Sequence, residues 1–217
     1  MLKYVFLALL VGCGATSQRK LGINTLHNLG SSQVHIFGDS IFTTRNHRIK
    51  SLLEISMEQP IDDHARQGAW TWEITKQYEA VRGTKSLVIL DGGGNDVLGN
   101  SGNCKAFNDA CRNVVANGVK NHEETFHMME QDGVERVIFL GSHYPTGWNG
   151  GYEKVIDYTY PLLRKMCDGS SIPCLIVDPR EKFRTTKGLL EWDGVHPNNQ
   201  GTQVMADMIF SVYSGKL

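Results

Sequence analysis

Short apolar runs that alternate with long helix-like segments constrain the fold more than any other feature of this chain. Runs rich in β-branched residues that end near glycines or turns are typical of the buried strands of a parallel sheet. Helix-like sequence over residues 106–132 and 152–166 precedes two of these runs. Strands that alternate with helices predict a parallel sheet with helices on both faces. Four runs fit this pattern: Val34–Phe37, 86–90, Arg136–Leu140 and Cys174–Val177.

The length of the chain is suited to one domain of this kind. About 200 residues remain after an N-terminal leader is set aside, enough for a single α/β domain with a substantial core. A fifth strand is expected near residues 52–57, although this segment could equally end the helix that follows Ser40. A last helix is expected from Asn199 onward. The predicted architecture is therefore a single three-layer α/β domain with a parallel sheet of about five strands.

Three polar motifs lie far apart along the chain. They are Phe-Gly-Asp-Ser at 37–40, Gly-Gly-Asn-Asp at 93–96 and Asp-Gly-Val-His-Pro at 193–197. The first two follow predicted strands, and ligands of parallel α/β sheets bind outside the carboxyl ends of the strands. We therefore expect Ser40 and Asn95 to lie in one site.

The motif residues together supply what acyl transfer by an activated serine requires. Ser40 offers a hydroxyl, and His196 offers a base whose ordinary pKa of about 6.5 suits both accepting and returning a proton. Asp193 precedes His196 by three positions and can orient its ring, while Asn95 can donate to a developing oxyanion. Each motif alone is equally typical of a turn.

Two further aspartates could be considered as the orienting acid. Asp39 and Asp96 stand beside the serine and the asparagine of the first two motifs. Asp at a turn commonly accepts backbone N–H bonds and favours a helix N-terminus. We expect this structural role for both residues.

The three motifs, in this order, resemble those of the SGNH, or GDSL, hydrolases, a family of esterases, lipases, thioesterases and carbohydrate deacetylases. The resemblance runs from the first strand to the last helix and implies a flavodoxin-like fold. It implies that Ser40 is the nucleophile and that Asp193 and His196 complete the triad. The implied oxyanion hole consists of the Ser40 N–H, the Gly68 N–H and the Asn95 side chain. Gly68 is assigned from its order along the chain.

The N-terminus has the pattern of a secretory signal. Residues 1–12 have a charged start followed by an apolar stretch too short to span a bilayer. The residues up to Cys13 resemble the lipobox of bacterial lipoproteins, which implies lipidation of Cys13; the alternative is ordinary cleavage near Ala15. Residues 13–30 are then a tether, and 31–217 form the hydrolase domain. The protein is expected to be periplasmic or extracellular, anchored to a membrane by lipid or secreted as a soluble protein.

Four cysteines remain after Cys13, an even number that predicts two disulfides in an exported chain. Local pairing of Cys104 with Cys111 and of Cys167 with Cys174 is favoured because each pair flanks a loop. The alternative is four buried free thiols.

Composition argues against several classes of partner. The net charge of −1 and the 21% of charged residues provide no basic surface for nucleic acid. The remaining histidines lack metal-ligand spacing; His122 and His127, for example, are five positions apart. We expect neither a metal nor a cofactor.

Three functions are compatible with these observations. The first is an exported serine hydrolase of small-molecule or lipid esters or thioesters, and the second is a deacetylase of O-acetylated polysaccharide. The third is a catalytically silent binding lipoprotein on the same fold. Residues 141–152 follow a strand and are expected to face the site. The aromatic side chains of Trp70 and Trp192 could stack on a sugar or simply pack.

Overall fold

The computed structural model describes residues 34–83 and 87–216. They form a single α/β domain whose five strands pair in parallel in the order β2-β1-β3-β4-β5. The predicted leader at 1–12, the tether at 13–30 and the lipidation site at Cys13 lie outside the described residues. The strands are β1 (Val34–Phe37), β2 (Ile61–Asp63), β3 (Leu87–Leu90), β4 (Arg136–Leu140) and β5 (Cys174–Val177).

Helices cover both faces of the sheet. In order, they are α1 (Ser40–Met57), α2 (Thr71–Glu79), α3 (Gly94–Gly99), α4 (Ser101–Ala106), α5 (Asp109–Gln131), α6 (Glu153–Gly169), α7 (Arg180–Thr185) and α8 (Asn199–Ser214).

Alternate residues of the strands enter two separate cores. In β1, Ile36 packs with residues of α1 and α8, whereas its neighbour Phe37 packs with residues of α2, α5 and α6. Successive side chains of a strand point to opposite faces of its sheet, so these cores lie on the two sides of the sheet. The predicted three-layer arrangement is confirmed.

The expected position of the fifth strand is wrong. Residues 52–57 belong to α1, as the alternative interpretation held, and the fifth strand is β2. β2 lies at the sheet edge, pairs only with β1 and has just three residues, of which Asp62 is exposed. A short edge strand with two acidic residues has no continuous apolar run, so the pattern that identified the buried strands does not reveal it.

Helix α1 is interrupted soon after its start. Arg45, Asn46 and His47 have φ values of 52°, 55° and 57°, in the left-handed region that side chains disfavour. A hydrogen bond from His47 Nδ1 to Asp63 Oδ2 at 2.7 Å holds one end of the break to β2. The first turn of α1 is therefore a separate short element.

Both expected disulfides are present in the structure. Cys104 at the end of α4 is bonded to Cys111 in α5, and Cys167 in α6 is bonded to Cys174 at the start of β5. Each bond closes a loop with a sequence separation of 7 residues. The two bonds fix short connections between consecutive elements.

Candidate active site

The turn between β1 and α1 presents the predicted nucleophile. Asp39 Oδ1 accepts the backbone N–H of Ile41 at 3.0 Å and so caps the helix that begins at Ser40. Gly38 is required at the preceding position because a Cβ there would lie 1.8 Å from Asp91 Oδ1. Ser40 is therefore held at a helix N-terminus beyond the carboxyl end of a strand.

A continuous hydrogen-bonded chain links Ser40 to His196 and Asp193. His196 Nε2 lies 2.9 Å from Ser40 Oγ, and His196 Nδ1 lies 2.7 Å from Asp193 Oδ2. Asp193 Oδ1 also accepts the backbone N–H groups of Val195 and His196 at 2.8 and 3.0 Å. The structure thus brings together the three residues that the sequence assigns to the triad.

The surroundings of Asp193 favour its charged form. Partial burial acts to raise the pKa of this carboxyl, but the His196 ring and the two backbone N–H groups together hold its pKa below the ordinary value. An ionised Asp193 selects the ring form of His196 with a proton on Nδ1. The other ring nitrogen is then free to accept the Ser40 proton.

The loop between β4 and α6 supports the loop that carries His196. The Thr146 N–H donates to the Gly194 carbonyl at 2.8 Å, and Asn149 Nδ2 donates to the Asp193 carbonyl at 2.9 Å. His143 Nε2 donates to the Val195 carbonyl at 2.8 Å. The loop that the sequence predicts to face the site therefore holds the His196 loop in place through three of its backbone carbonyls.

Asn95 lies at the start of α3, next to the nucleophile turn. Its Nδ2 donates to Asp39 Oδ2 at 3.2 Å and to the Ala69 carbonyl at 3.0 Å. Because Asn95 Nδ2 already makes these two hydrogen bonds, it must share or break one of them to donate to an oxyanion. Gly68, with φ of 75°, lies in the exposed segment between β2 and α2, and its contribution to the oxyanion hole stays a prediction.

Asp39 and Asp96 have the structural roles expected of them. Asp39 caps α1 and accepts from Asn95, while Asp96 accepts both the backbone N–H and the hydroxyl of Thr71 at 3.0 and 2.8 Å. Asp96 thereby joins α3 to the start of α2. The acid in contact with His196 is Asp193.

Two buried residues support the turn that carries Ser40, and the sequence assigned a role to neither of them. Asp91 Oδ1 accepts the Asp39 N–H at 2.9 Å, and Gln77 bonds to both backbone polar groups of Gly38. Asp91 was detectable as an acid directly after a buried strand. Gln77 was detectable as an amide on the buried face of an amphipathic helix.

Burial shifts the two carboxyl groups beneath Ser40 toward their neutral forms. Burial raises the pKa of Asp39 to about 6. Burial, reinforced by the nearby Asp39 carboxyl, raises the pKa of Asp91 well above its ordinary value. Asp91 Oδ2 has no hydrogen-bond partner within residues 34–83 and 87–216.

Two spaces of different character meet at Ser40. The first, called the inner cavity, has a volume of about 120 Å³ and lies against α3, α5 and α6; the second, called the outer groove, has a volume of about 820 Å³. The inner cavity is bounded by Ser40, Asn95, Val97, Val119, Ile156 and Tyr160 among others. The outer groove is bounded by Ser40, Arg48, Gln67, Trp192, Asp193 and His196 among others.

The described part of the chain contains neither a cluster of metal-binding side chains nor a membrane-spanning helix. No group of three or more His, Cys, Asp or Glu side chains within it could hold a metal ion. No helix within it has the length and apolar character to cross a membrane.

Several solved structures share this fold at low sequence identity. A lipase/acylhydrolase from Enterococcus faecalis superposes with a TM-score of 0.66 at 16% identity, covering 85% of this chain and 96% of that chain. An acetyl xylan esterase gives 0.64 at 18% identity, covering 83% and 98%. A carbohydrate esterase family 3 protein from Talaromyces cellulolyticus gives 0.64 at 18% identity, covering 85% and 99%.

Sequence comparison places the chain in a family. No curated protein matches the chain at a significant level. A family model described as GDSL-like Lipase/Acylhydrolase matches residues 34–209, which include all three polar motifs. The chain belongs to the GDSL-like lipase/acylhydrolase family.

Proposed function

We propose that this protein is an exported serine hydrolase that cleaves acyl esters or thioesters through Ser40, His196 and Asp193. The observation that carries the proposal is the hydrogen-bonded chain from Asp193 Oδ2 through His196 to Ser40 Oγ, with distances of 2.7 and 2.9 Å. A ring held by a carboxylate on one side and bonded to a serine hydroxyl on the other is suited to activate that serine. Membership of a hydrolase family supports the same conclusion.

The proposed reaction has two steps. Ser40 Oγ attacks the carbonyl carbon while its proton passes to His196 Nε2, and the resulting oxyanion accepts from the Ser40 N–H, the Gly68 N–H and Asn95 Nδ2. Collapse of this intermediate breaks the bond to the leaving oxygen or sulfur, which takes the proton from His196. Water then attacks the acyl-serine with His196 again as base, and the acid leaves while Ser40 regains its proton.

Loss of the nucleophile tests this function directly. Ser40→Ala should lower the hydrolysis of p-nitrophenyl butyrate roughly thousandfold or more, because it removes the hydroxyl that is bonded to His196. Ser51→Ala, at an exposed position of the same helix, is the matched control and should keep wild-type activity. Equal activity of the wild type and a folded Ser40→Ala variant would favour the catalytically silent binding lipoprotein.

Removal of acetyl groups from a polysaccharide is a second candidate function. Two proteins of similar fold are named as an acetyl xylan esterase and a carbohydrate esterase. The exposed Trp192 in the outer groove could stack on a sugar ring. Ser40-dependent release of acetate from acetylated xylan, faster than from ethyl acetate, would support this candidate.

Export rests on the N-terminal pattern and on the disulfides. Two disulfides support passage through an oxidising compartment, where such bonds persist. We propose that residues 1–12 are removed and that Cys13 carries a lipid, with cleavage near Ala15 as the alternative. Mass measurement of the mature protein distinguishes the two. If Cys13 carries the lipid, the Cys13→Ala variant should move from the membrane fraction to the soluble fraction.

A further inference from the structure

The two spaces at Ser40 contain different parts of the catalytic machinery. Asn95 lines the inner cavity, His196 lines the outer groove, and Ser40 lines both. A substrate carbonyl carbon bonded to Ser40 Oγ therefore lies at the junction of the two spaces. The following argument rests on the proposed function of these residues.

Proton transfer determines which part of an ester occupies which space. His196 must deliver its proton to the leaving oxygen, so the alcohol portion has to lie on the His196 side, in the outer groove. The oxyanion is directed toward Asn95. The acyl chain then takes the remaining direction, into the inner cavity.

The inner cavity has a wall suited to a hydrocarbon chain. Eleven of the residues that line it are Val, Leu or Ile, including Val97, Val119 and Ile156. Gly118 and Gly141 also line it, so the walls from α5 and from the end of β4 lack side chains at these points. Burying an acyl chain against these groups is favourable by about 0.8 kcal/mol for each methylene.

The size of the cavity and two polar groups limit the length of this chain. A cavity of roughly 150 Å³ suffices for benzene, a ligand of about six carbons. The inner cavity is slightly smaller, at about 120 Å³. Asp91 and His122 also line it, and both have buried polar atoms with no hydrogen-bond partner among the described residues. Burying methylenes against those polar atoms would contribute little favourable free energy, so only part of the cavity wall stabilises a bound hydrocarbon chain.

The outer groove has the opposite character. Arg48, Gln67 and Asn199 provide polar groups along it, and Trp192 stands at its side with 86% of its surface exposed. An exposed indole face beside polar side chains is suited to a sugar ring, whose C–H face stacks while its hydroxyls form hydrogen bonds. Trp70, by contrast, packs beside Gly99, where a Cβ would lie 2.7 Å from its ring.

We propose that the inner cavity is an acyl subsite and the outer groove an alcohol subsite, and that the preferred substrate is a short-chain ester of a sugar-like alcohol. The acyl chain has roughly four to six carbons, including the carbonyl carbon. Acetyl leaves most of the cavity unfilled, and a chain of ten or more carbons exceeds it.

Changes at Val119 test the acyl subsite. Its side chain lines the inner cavity from α5. With p-nitrophenyl esters from acetyl to decanoyl, wild-type kcat/KM should reach its maximum at butyryl or hexanoyl. Val119→Phe should move the maximum toward acetyl and lower hexanoate turnover about tenfold, whereas Val119→Ala should move it toward octanoyl. Ile55→Phe adds bulk at a position that is 76% exposed and should keep the wild-type profile.

The outcomes separate the subsite from the enzyme itself. Opposite shifts of the maximum in the two Val119 variants support the acyl subsite. Ser40-dependent hydrolysis with the same maximum in the wild type and in Val119→Ala overturns it while leaving the proposed function intact. If no ester is hydrolysed in a Ser40-dependent way, the proposed function fails and this inference fails with it. If Val119→Phe does not fold, the position of the kcat/KM maximum in Val119→Ala alone tests the acyl subsite.

Changes at Trp192 test the alcohol subsite. Trp192→Ala should lower kcat/KM for methyl 6-O-butyrylglucoside roughly threefold to tenfold, the loss expected for one stacking contact. Ethyl butyrate, whose alcohol is too small to stack, should be hydrolysed at the wild-type rate. Trp72→Ala removes an indole on α2 that is 46% exposed and lines neither space, so it should change neither rate. An equal effect of Trp192→Ala on both esters, or no effect on either, overturns the assignment.

Discussion

Gln77 holds both backbone polar groups of Gly38, two positions ahead of the nucleophile. The Gly38 N–H donates to Gln77 Oε1 at 3.0 Å, and Gln77 Nε2 donates to the Gly38 carbonyl at 2.9 Å. Both groups are buried, and 39 positions separate the two residues along the chain. Helix α2 thus supports the turn at the end of β1, and Gln77 acts on Ser40 only through that turn.

Replacing Gln77 by Leu should destabilise the fold and slow the reaction together. The change leaves a buried N–H and a buried carbonyl without partners, which costs about 2–5 kcal/mol of unfolding free energy. Urea unfolding and kcat/KM measure the two effects. Gln203→Leu removes an exposed bond to Asp207 and should change stability by less than about 0.5 kcal/mol. Equal stability of the two variants would contradict the supporting role.

Replacing Asn95 by Ala should reduce turnover more than substrate binding. If Asn95 donates to the oxyanion, kcat should fall about hundredfold to thousandfold with a small change in KM. Asn100→Ala is the matched control because its amide donates to the Asp96 carbonyl at the end of the same helix. A similar loss of kcat in both variants would indicate that α3 had been disturbed and that Asn95 has no special role.

The buried His122 should make the protein sensitive to acid. Burial lowers the pKa of His122 to about 4, against an ordinary value of 6.5. The unfolded chain therefore binds more protons between these values, so the contribution of His122 to stability is complete above pH 6.5 and lost as pH falls toward 4. The full loss is about 3 kcal/mol.

Comparison with His122→Phe isolates this effect. His143, whose pKa burial also lowers to about 4, adds to the acid sensitivity, while the raised pKa values of Asp39 and Asp91 oppose it. These groups are common to both proteins and cancel in the difference. The variant should therefore gain about 2–3 kcal/mol of unfolding free energy relative to the wild type between pH 7 and pH 4.5. If the difference in unfolding free energy between the two proteins did not change with pH, it would contradict a neutral, buried ring at His122.

Reduction of the disulfides should lower the melting temperature in two separable steps. Each disulfide constrains the unfolded chain and should therefore contribute about 2–3 kcal/mol to the unfolding free energy for a loop this short. Replacing Cys104 and Cys111 by Ser removes one contribution, and replacing Cys167 and Cys174 removes the other. Dithiothreitol should then lower the melting temperature of each double variant by less than that of the wild type. Insensitivity of the wild type to dithiothreitol would contradict the role of both bonds in stability.

The sequence predicted those parts of the fold that local pattern determines. Buried strands such as Leu87–Leu90 are apolar throughout because helices cover both of their faces. The edge strand β2 is covered less completely and carries Asp62 and Asp63, so no apolar run marks it. The break at Arg45–His47 is likewise invisible in the sequence, which contains no Gly or Pro there.

The three residues proposed as the triad could be singled out from the sequence because their chemistry is rare in combination, whereas the residues that support them could not. Ser40 is recognisable from its residue type and its position after a strand, and Asp193 and His196 from their residue types, spacing and order along the chain. Gln77 and Asn149 act through contacts to backbone atoms 39 and 44 positions away. A side chain that bonds to a distant peptide group has no sequence partner to identify it, so only the folded arrangement shows its role.

The support of the His196 loop by Thr146 and Asn149 constrains how this enzyme could be redesigned. Loops that follow strands are the usual place to alter selectivity, because they tolerate substitution without loss of the scaffold. Here the segment after β4 also positions the loop that carries His196, the proposed base, through the Gly194 and Asp193 carbonyls. Grafting this segment from a homologue would therefore change reactivity and selectivity together, unless the donors at 146 and 149 were kept.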